Sequence, residues 1–490
     1  MAALIWLPLL LPSLLAALGF GLRRRRWTMW LPIAAAAVVL LAGIALLVAV
    51  QGSGAVVTGA GLLRADPLSA WLLSVVGAVA VISLWGGLPE PGTEERAGGV
   101  HAALLCLFLA AMTLAVTADN IGLMWVAIEL TTITTAFLVA SGGGRNALEA
   151  AWKYVVLGAV GVAIAFLGIV LLSAASQGGG EATLSWTLLL QRAPVLDPAL
   201  LRVAGALTVL GFATKAGLAP MHAWLPDAHS QAPAPVSGLM SGVLLSVACY
   251  AILRVQAVVD AGVGPELMRI LLLTGGLLSL AVAAGLVLTQ RDYKRLLAYS
   301  SIEHMGLLAL GAAAGGQLAI AALLLHMLGH GLVKATMFVL AGRISSLTGS
   351  HRIADVHGLL QRRPDLGGPF LLGAAALLGL PPFVTFFTEV AIVVAGFSRG
   401  LTLPFLAACG LLLLGFAGIA RQVLAMTVGA GRVRGAAGGS AASPSTAPGS
   451  GWPRRAPVVV ALGLTAVLGF AAWPLAGTLL AAVAALGGVR

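Results

Sequence analysis

Charge is the first thing this 490-residue chain lacks: 9% of its residues are Asp, Glu, Lys or Arg, against 60% apolar. A soluble fold carries about 25% charged residues, so a soluble enzyme or regulator is excluded. Cysteine is also rare. Cys106, Cys249 and Cys409 are the only three, each inside an apolar stretch and far from the others. That spacing excludes a CxxC redox or zinc motif and reads as small packing residues. Flavin, haem and iron–sulfur motifs are missing too, so the chain is expected to hold no cofactor and no metal of its own. The scarcest cation is lysine. Of 28 basic residues only Lys153, Lys215, Lys294 and Lys334 are lysines.

What the chain does have is apolar length. A bilayer core about 30 Å thick needs about 20 apolar residues per helix. About fourteen stretches qualify, near 4–22, 30–50, 68–87, 101–118, 121–140, 152–173, 200–225, 235–257, 268–289, 296–314, 318–342, 369–397, 402–428 and 456–487. The seventh and twelfth are interrupted, and the last reads as one long helix or two short ones. Arg23, Arg24, Arg25 and Arg26 follow the first stretch and no basic residue precedes it, so it is not a cleavable signal. Those arginines hold their loop in the cytoplasm and send the N-terminus out. On that reading cytoplasmic segments collect 18 Lys and Arg and outer segments and helix ends 7, as the positive-inside rule requires. Both termini are then expected outside, in the periplasm of a bacterial inner membrane. The net charge of +11 is spread over short loops, which suits anionic headgroups and not nucleic acid.

The expected fold is all-α and integral to the membrane. N-terminal helices fill 1–118, a first half runs over 101–257 and a second over 268–428. A Gly/Ala/Ser/Pro-rich flexible cytoplasmic linker follows at 429–455, then a C-terminal helix at 456–490. Residues 174–199 read as an outer loop. Span seven breaks at Lys215-Ala216-Gly217-Leu218-Ala219-Pro220 and span twelve at Gly379-Leu380-Pro381-Pro382, shortly before Glu389. Helix breakers at membrane depth need protein or a water-lined cavity to satisfy the freed backbone. A pair of them points to two related halves, as in transporters built from inverted repeats.

Ionisable residues inside the spans carry the chemistry. Arginine keeps its charge at any physiological pH, whereas a desolvated lysine can release a proton. Lys153, Lys215 and Lys334 lie in or at the start of apolar spans, and only Lys294 reads as a loop residue. Glu129 lies near mid-membrane and Glu389 just past a break; each is either a proton carrier or one side of a structural ion pair. His326, His330 and Lys334 recur every fourth residue, so they stack on one helix face about 6 Å apart and could pass protons along it. A metal there has no third ligand type beside it in sequence, and the Glu of an HExxH zinc motif is absent. Glu149 and Lys153 form an i,i+4 helix pair, although Lys153 could still face Glu129. Glu303 and His304 are adjacent, so they point to different faces.

One segment is recognisable. Met221-His222-Ala223-Trp224-Leu225-Pro226-Asp227-Ala228-His229-Ser230-Gln231-Ala232-Pro233 resembles the antiporter-like, proton-translocating membrane subunits of respiratory complex I, multisubunit sodium/proton antiporters and energy-converting hydrogenases. Asp292 to Ser301 and the His326/His330/Lys334 ladder match the same family, in the same order. The resemblance implies fourteen helices with two inverted five-helix repeats, each holding a broken helix. It implies a proton path over Glu129, Lys215, His326, His330, Lys334 and Glu389; Lys153, His222, His229, Glu303 and His304 are secondary candidates from their places in the sequence. Many relatives carry Lys or His in helix eight, where this chain has Ser246, so waters or His222 and His229 would bridge the centre. Ser300-Ser301-Ile302-Glu303-His304-Met305-Gly306 looks most like hydrogenase-4 component F. A complex I subunit with a long lateral helix is disfavoured, because the chain stops after span fourteen. The implied partners are protons, lipid, other antiporter-like membrane subunits and a peripheral redox module such as a nickel–iron hydrogenase. A sodium/proton antiporter subunit and a scaffold without transport are the alternative functions.

Overall fold

The computed structural model describes residues 3–22, 25–88, 98–429 and 452–487. The linker expected at 429–455 falls almost wholly outside these residues, as do Arg23, Arg24, Arg96, Arg432, Arg434 and Arg490 of the charge pattern. The regular structure of the described residues is helical apart from a two-stranded antiparallel hairpin, β1 (Val56–Thr58) and β2 (Leu63–Ala65). The helices run α1 (Ala3–Gly21), α2 (Leu31–Ser53), α3 (Pro67–Gly86), α4 (Gly99–Thr117), α5 (Ile121–Ala140), α6 (Gly144–Ser176), α7 (Trp186–Arg192), α8 (Pro198–Ala216), α9 (Trp224–Gln231) and α10 (Ala234–Leu239). A π-turn at Met240–Leu244 joins α10 to α11 (Leu245–Val263). Then come α12 (Glu266–Val287), α13 (Tyr293–Ala314), α14 (Gly316–Thr348), α15 (Leu359–Arg362), α16 (Pro364–Leu377), α17 (Val384–Ser398), α18 (Thr402–Thr427), α19 (Trp452–Phe470) and α20 (Ala476–Ala484).

Twelve described stretches are long and apolar enough to cross a membrane, and a thirteenth if Arg454–Phe470 and Trp473–Ala484, bent by 79°, make one crossing. The predicted twelfth span is two helices of 14 and 15 residues, α16 and α17, each too short to cross alone. Span seven differs from it: α8 is long enough to cross, and the short α9 follows its break. The segment predicted as an outer loop, 174–199, carries a short helix. This is α7, whose Trp186 is buried with its indole N–H donating to the Arg254 carbonyl at 2.7 Å.

Small residues let the helices close on one another, since apolar side chains gain little by leaving lipid for protein. Gly161 on α6 lies against Thr214 on α8, Gly168 against Thr208, and Gly77 on α3 against the Leu40 backbone of α2. At the centre, α14 meets α3 through Trp71, whose indole N–H donates to the Leu324 carbonyl at 3.1 Å. Gly331 of α14 touches Gly242 in the π-turn, so those backbones meet without side chains between them. The segment Ala234–Val263 and α13 are buried along nearly all their length, whereas α1, α2 and α18 turn broad apolar faces outward. Lys215, Glu303, His304, His326, His330 and Lys334 therefore sit buried inside the protein.

Candidate functional site

In the first half, Asn120 caps α5 by accepting the Leu123 N–H at 3.0 Å, and the helix carries Glu129 two turns further on. The Thr132 hydroxyl lies 3.3 Å from the Glu129 carboxylate. Across from it, Lys215 occupies the last turn of α8, where the helix dipole favours a cation. Its ammonium is fully buried and has no hydrogen-bond partner among the described residues. It lies 4.7 Å from the centre of the Tyr154 ring, against Gly158 of α6, and within electrostatic reach of Glu129.

The break after Lys215 is satisfied by protein. Gly217 takes a left-handed φ of 72°. The Trp224 indole N–H donates to the Thr214 carbonyl at 2.8 Å, and the Ala219 N–H donates to Ser279 of α12 at 2.9 Å. The second break is held in the same manner. Gly379 has a φ of 60°, and Glu389 packs over the face that a Cβ there would fill. The Thr385 hydroxyl donates to the Ala376 carbonyl at the end of α16 at 2.5 Å.

In the second half, Lys334 donates to the Leu297 carbonyl at 2.7 Å and to the Ser300 hydroxyl at 2.5 Å, within electrostatic reach of Glu303. One face of α14 does carry His326, His330 and Lys334, and the two imidazoles stack 6.1 Å apart. Sequence spacing missed the partner of this ladder. His304 of α13 packs beside both rings, with its Nδ1 3.0 Å from His326 Nε2 and its centroid 4.7 Å from that of His330. His304 Nε2 lies 3.1 Å from the Leu377 carbonyl, the last of α16 before the break, and His304 Nδ1 lies 3.9 Å from Glu389. Thr388 completes the row, its hydroxyl 2.8 Å from His326 Nδ1. Glu303, His304 and Glu389 together line a cavity of about 440 Å³ walled by α17 and α18.

Four sequence expectations change. Lys153 does not face Glu129. It is half-exposed and pairs with Glu149 at 2.7 Å and Asp227 at 3.2 Å, because its place on α6 turns it toward α9. Lys294 is not a loop residue: it lies in the first turn of α13, buried, and donates to the Ser230 and Ala232 carbonyls at the end of α9. The cluster that lacked a third ligand in sequence gains one in space, since α13 brings in His304. The residues beside the broken spans also divide. His222 stays partly exposed, while His229 is buried, stacked 5.2 Å from Phe338 and within reach of both Lys294 and Lys334. Ser246 is buried with its hydroxyl donating to the Gly242 carbonyl at 3.1 Å, so span eight contributes no charge at that level.

A second ionic cluster was not anticipated. Asp66 caps α3 by accepting the Ser69 N–H at 2.9 Å, and Arg254 Nη2 reaches both of its oxygens at 2.7 Å. The guanidinium lies 4.2 Å from the Trp186 ring and 5.0 Å from the Tyr250 ring. An arginine nine residues before the end of a buried span was the available signal.

Residues 118–415 match the family described as NADH:quinone oxidoreductase/Mrp antiporter, transmembrane. A hydrogenase-4 component F homolog from Methylacidiphilum infernorum is 42% identical over 301 residues, 61% of this chain and 63% of that protein. An NADH-quinone oxidoreductase subunit N from Desulforudis audaxviator is 32% identical over 66% of this chain and 64% of its own length. The chain thus matches a little under two thirds of these relatives. Among solved structures, a chain of Thermus thermophilus respiratory complex I aligns over 98% of this chain and 99% of its own, at 27% identity and a TM-score of 0.76. A chain of the Mrp complex from Dietzia sp. aligns over 99% and 97% at 21% identity, with a TM-score of 0.85, and so shares the fold. With the two satisfied breaks and the buried Glu, Lys and His row between them, these matches make the chain a member of the NADH:quinone oxidoreductase/Mrp antiporter transmembrane family.

Proposed function

We propose that this chain is a proton-translocating subunit of a larger redox-driven membrane complex. The observation that carries the reading is the row Thr388–His326–His304–Leu377 carbonyl beside Glu389. When the Thr388 hydroxyl donates to His326 Nδ1, His326 Nε2–H donates to His304 Nδ1 and His304 Nε2–H to the Leu377 carbonyl. Every ring is then neutral, and one added proton can shift along the row by exchange of tautomers. Lys334, with its Ser300 contact, follows His330 one turn further along α14, and Glu389 stands beside His304.

Protons are taken up near Lys215 from the cytoplasm and released near Glu389. A change of charge at Glu129 alters its attraction for Lys215 and so that lysine's hold on its proton. Between the halves, the Tyr154 and Trp224 rings, 4.9 Å apart, separate Lys215 from His229. His229, bridged by water, takes the place of a helix-eight charge at Ser246. Both termini face outward, α16 and α17 make a fourteenth crossing, and the two breaks mark inverted repeats. Electrons are handled by partner subunits, a nickel–iron hydrogenase among the candidates, as the likeness to hydrogenase-4 component F supports. The fold shared with an Mrp complex chain favours a second reading, a sodium/proton antiporter subunit.

Replacing Glu129 by Gln should abolish proton movement in the reconstituted complex under both readings. Co-purification of hydrogenase or quinone-reductase subunits, with translocation independent of sodium, supports the first. Co-purification of small membrane subunits alone, with sodium dependence, overturns it.

A further inference from the structure

The three histidines of the second half are arranged as a metal-binding set as well as a proton row. His304, His326 and His330 offer ligand nitrogens that all lie within 4.8 Å of one another, in a fully protein-lined place. His304 Nδ1 and His326 Nε2 are 3.0 Å apart. Two nitrogens on a tetrahedral zinc ion sit about 3.3 Å apart, given Zn–N bonds of about 2.0–2.1 Å. His330 completes the set. Neither of its ring nitrogens makes a hydrogen bond, and the Ser241 backbone faces it without bonding geometry, so turning this ring toward an ion breaks no bond.

The outer nitrogens give the stronger argument. A metal-bound histidine nearly always donates its other N–H to a carbonyl, carboxylate or water. His304 Nε2 meets the Leu377 carbonyl at 3.1 Å, and His326 Nδ1 meets the Thr388 hydroxyl at 2.8 Å. Thr388 lies 3.0 Å from the Val384 carbonyl and 2.9 Å from that of Thr385, so it can give its proton to its own helix and accept from His326. In that arrangement both outer N–H groups point outward, and the two inner nitrogens face each other with lone pairs. Only a cation holds them there, either a proton or a metal ion.

We propose that His304, His326 and His330 form a transition-metal site that a divalent ion such as Zn²⁺ takes in competition with the transported proton. Neutral imidazoles suit Zn²⁺, Co²⁺ and Cu²⁺ over Mg²⁺ or Ca²⁺. Glu389, 3.9 Å from His304, and Glu303 place carboxyl groups beside the set that can balance a bound cation, and the cavity they line gives the ion its approach. Lys334 faces the set from the next turn of α14 and limits the affinity. The metal site stands on this geometry alone; its blocking effect rests on the proposed proton path.

The test is a Co²⁺ titration of the purified, chelator-treated complex, read as a difference spectrum against the same complex carrying His330→Gln. One Co²⁺ per chain with the visible bands of a four- or five-coordinate ion, displaced by Zn²⁺ and missing in His330→Gln, is expected. Thr388→Val should weaken binding about 10- to 100-fold, and Thr388→Ser should restore it, which separates lost affinity from lost folding. The complex in proteoliposomes should stop translocating protons on addition of Zn²⁺ and resume with chelator. No stoichiometric Co²⁺, or an unchanged spectrum in His330→Gln, overturns the site and leaves the proton path standing. Co²⁺ bound as described while translocation continues overturns the competition, and with it the path through these histidines.

Discussion

Replacing Arg254 by Met removes one side of a buried ion pair. Asp66 is fully buried, and Arg254 Nη2 touches both of its oxygens at 2.7 Å. The substitution leaves the carboxylate with the Ser69 N–H and with Arg64 Nε at 3.5 Å. Removing one member of a buried pair typically costs about 3–5 kcal/mol, because the other charge stays buried. Replacing both members should be far milder: in Asp66→Asn with Arg254→Met, Asn still caps α3 and no charge is buried. The pH dependence should also invert. Burial pushes the Asp66 carboxyl up, but the Arg254 guanidinium, helped by the Ser69 N–H and Arg64, holds the carboxyl below its ordinary value. A depressed value stabilises the fold at all pH above the unfolded carboxylate range and loses that stability only as pH falls through the folded value. The wild type should therefore be indifferent to pH between 8 and about 5.5 at this site. In Arg254→Met burial dominates, the folded value rises above the unfolded one, and acidification should stabilise the variant. Thermal unfolding midpoints in detergent at both pH values give the readout. A single variant as stable as wild type at pH 8, or a double variant no better than the single, would refute the reasoning.

Lys215→Arg keeps the positive charge but holds its proton about 2–3 pKa units more tightly, so the neutral form becomes at least about 100-fold scarcer. Proton translocation by the reconstituted complex should fall by a similar factor; wild-type rates would mean that only the charge matters. Gly469 of α19 lies against the Pro382 carbonyl in the second break, with no room for a Cβ. Gly469→Ala should therefore destabilise the chain by about 1–3 kcal/mol, seen as a lower unfolding midpoint.

Much of this was legible in sequence for one reason: a charge at membrane depth is conspicuous. Glu129, Lys215, His326, His330 and Lys334 stood out against apolar neighbours, and glycine with proline marked both breaks. Contacts between helices were hidden. Fourfold spacing along α14 put two histidines and a lysine on one face, but nothing in that spacing told that α13 would bring His304 beside both rings. Lys153 looked like a partner for Glu129 because sequence gives depth and not azimuth; its helix turns it to Asp227 instead. Lys294 sat beside Asp292 and Arg295 and so resembled a loop, whereas it caps the carbonyls at the end of α9. Asp66 and Arg254 are 188 residues apart in sequence, so no local pattern joins them.

Proton movement across both halves is the central claim, and it is tested most directly by one measurement. Proteoliposomes holding the intact complex, driven by its redox substrates, would report proton translocation for Lys215→Ala and for Glu389→Ala. Each variant should keep electron transfer at the partner subunits while proton translocation through this chain is lost. Translocation undiminished in both would contradict the account and leave the chain a membrane scaffold.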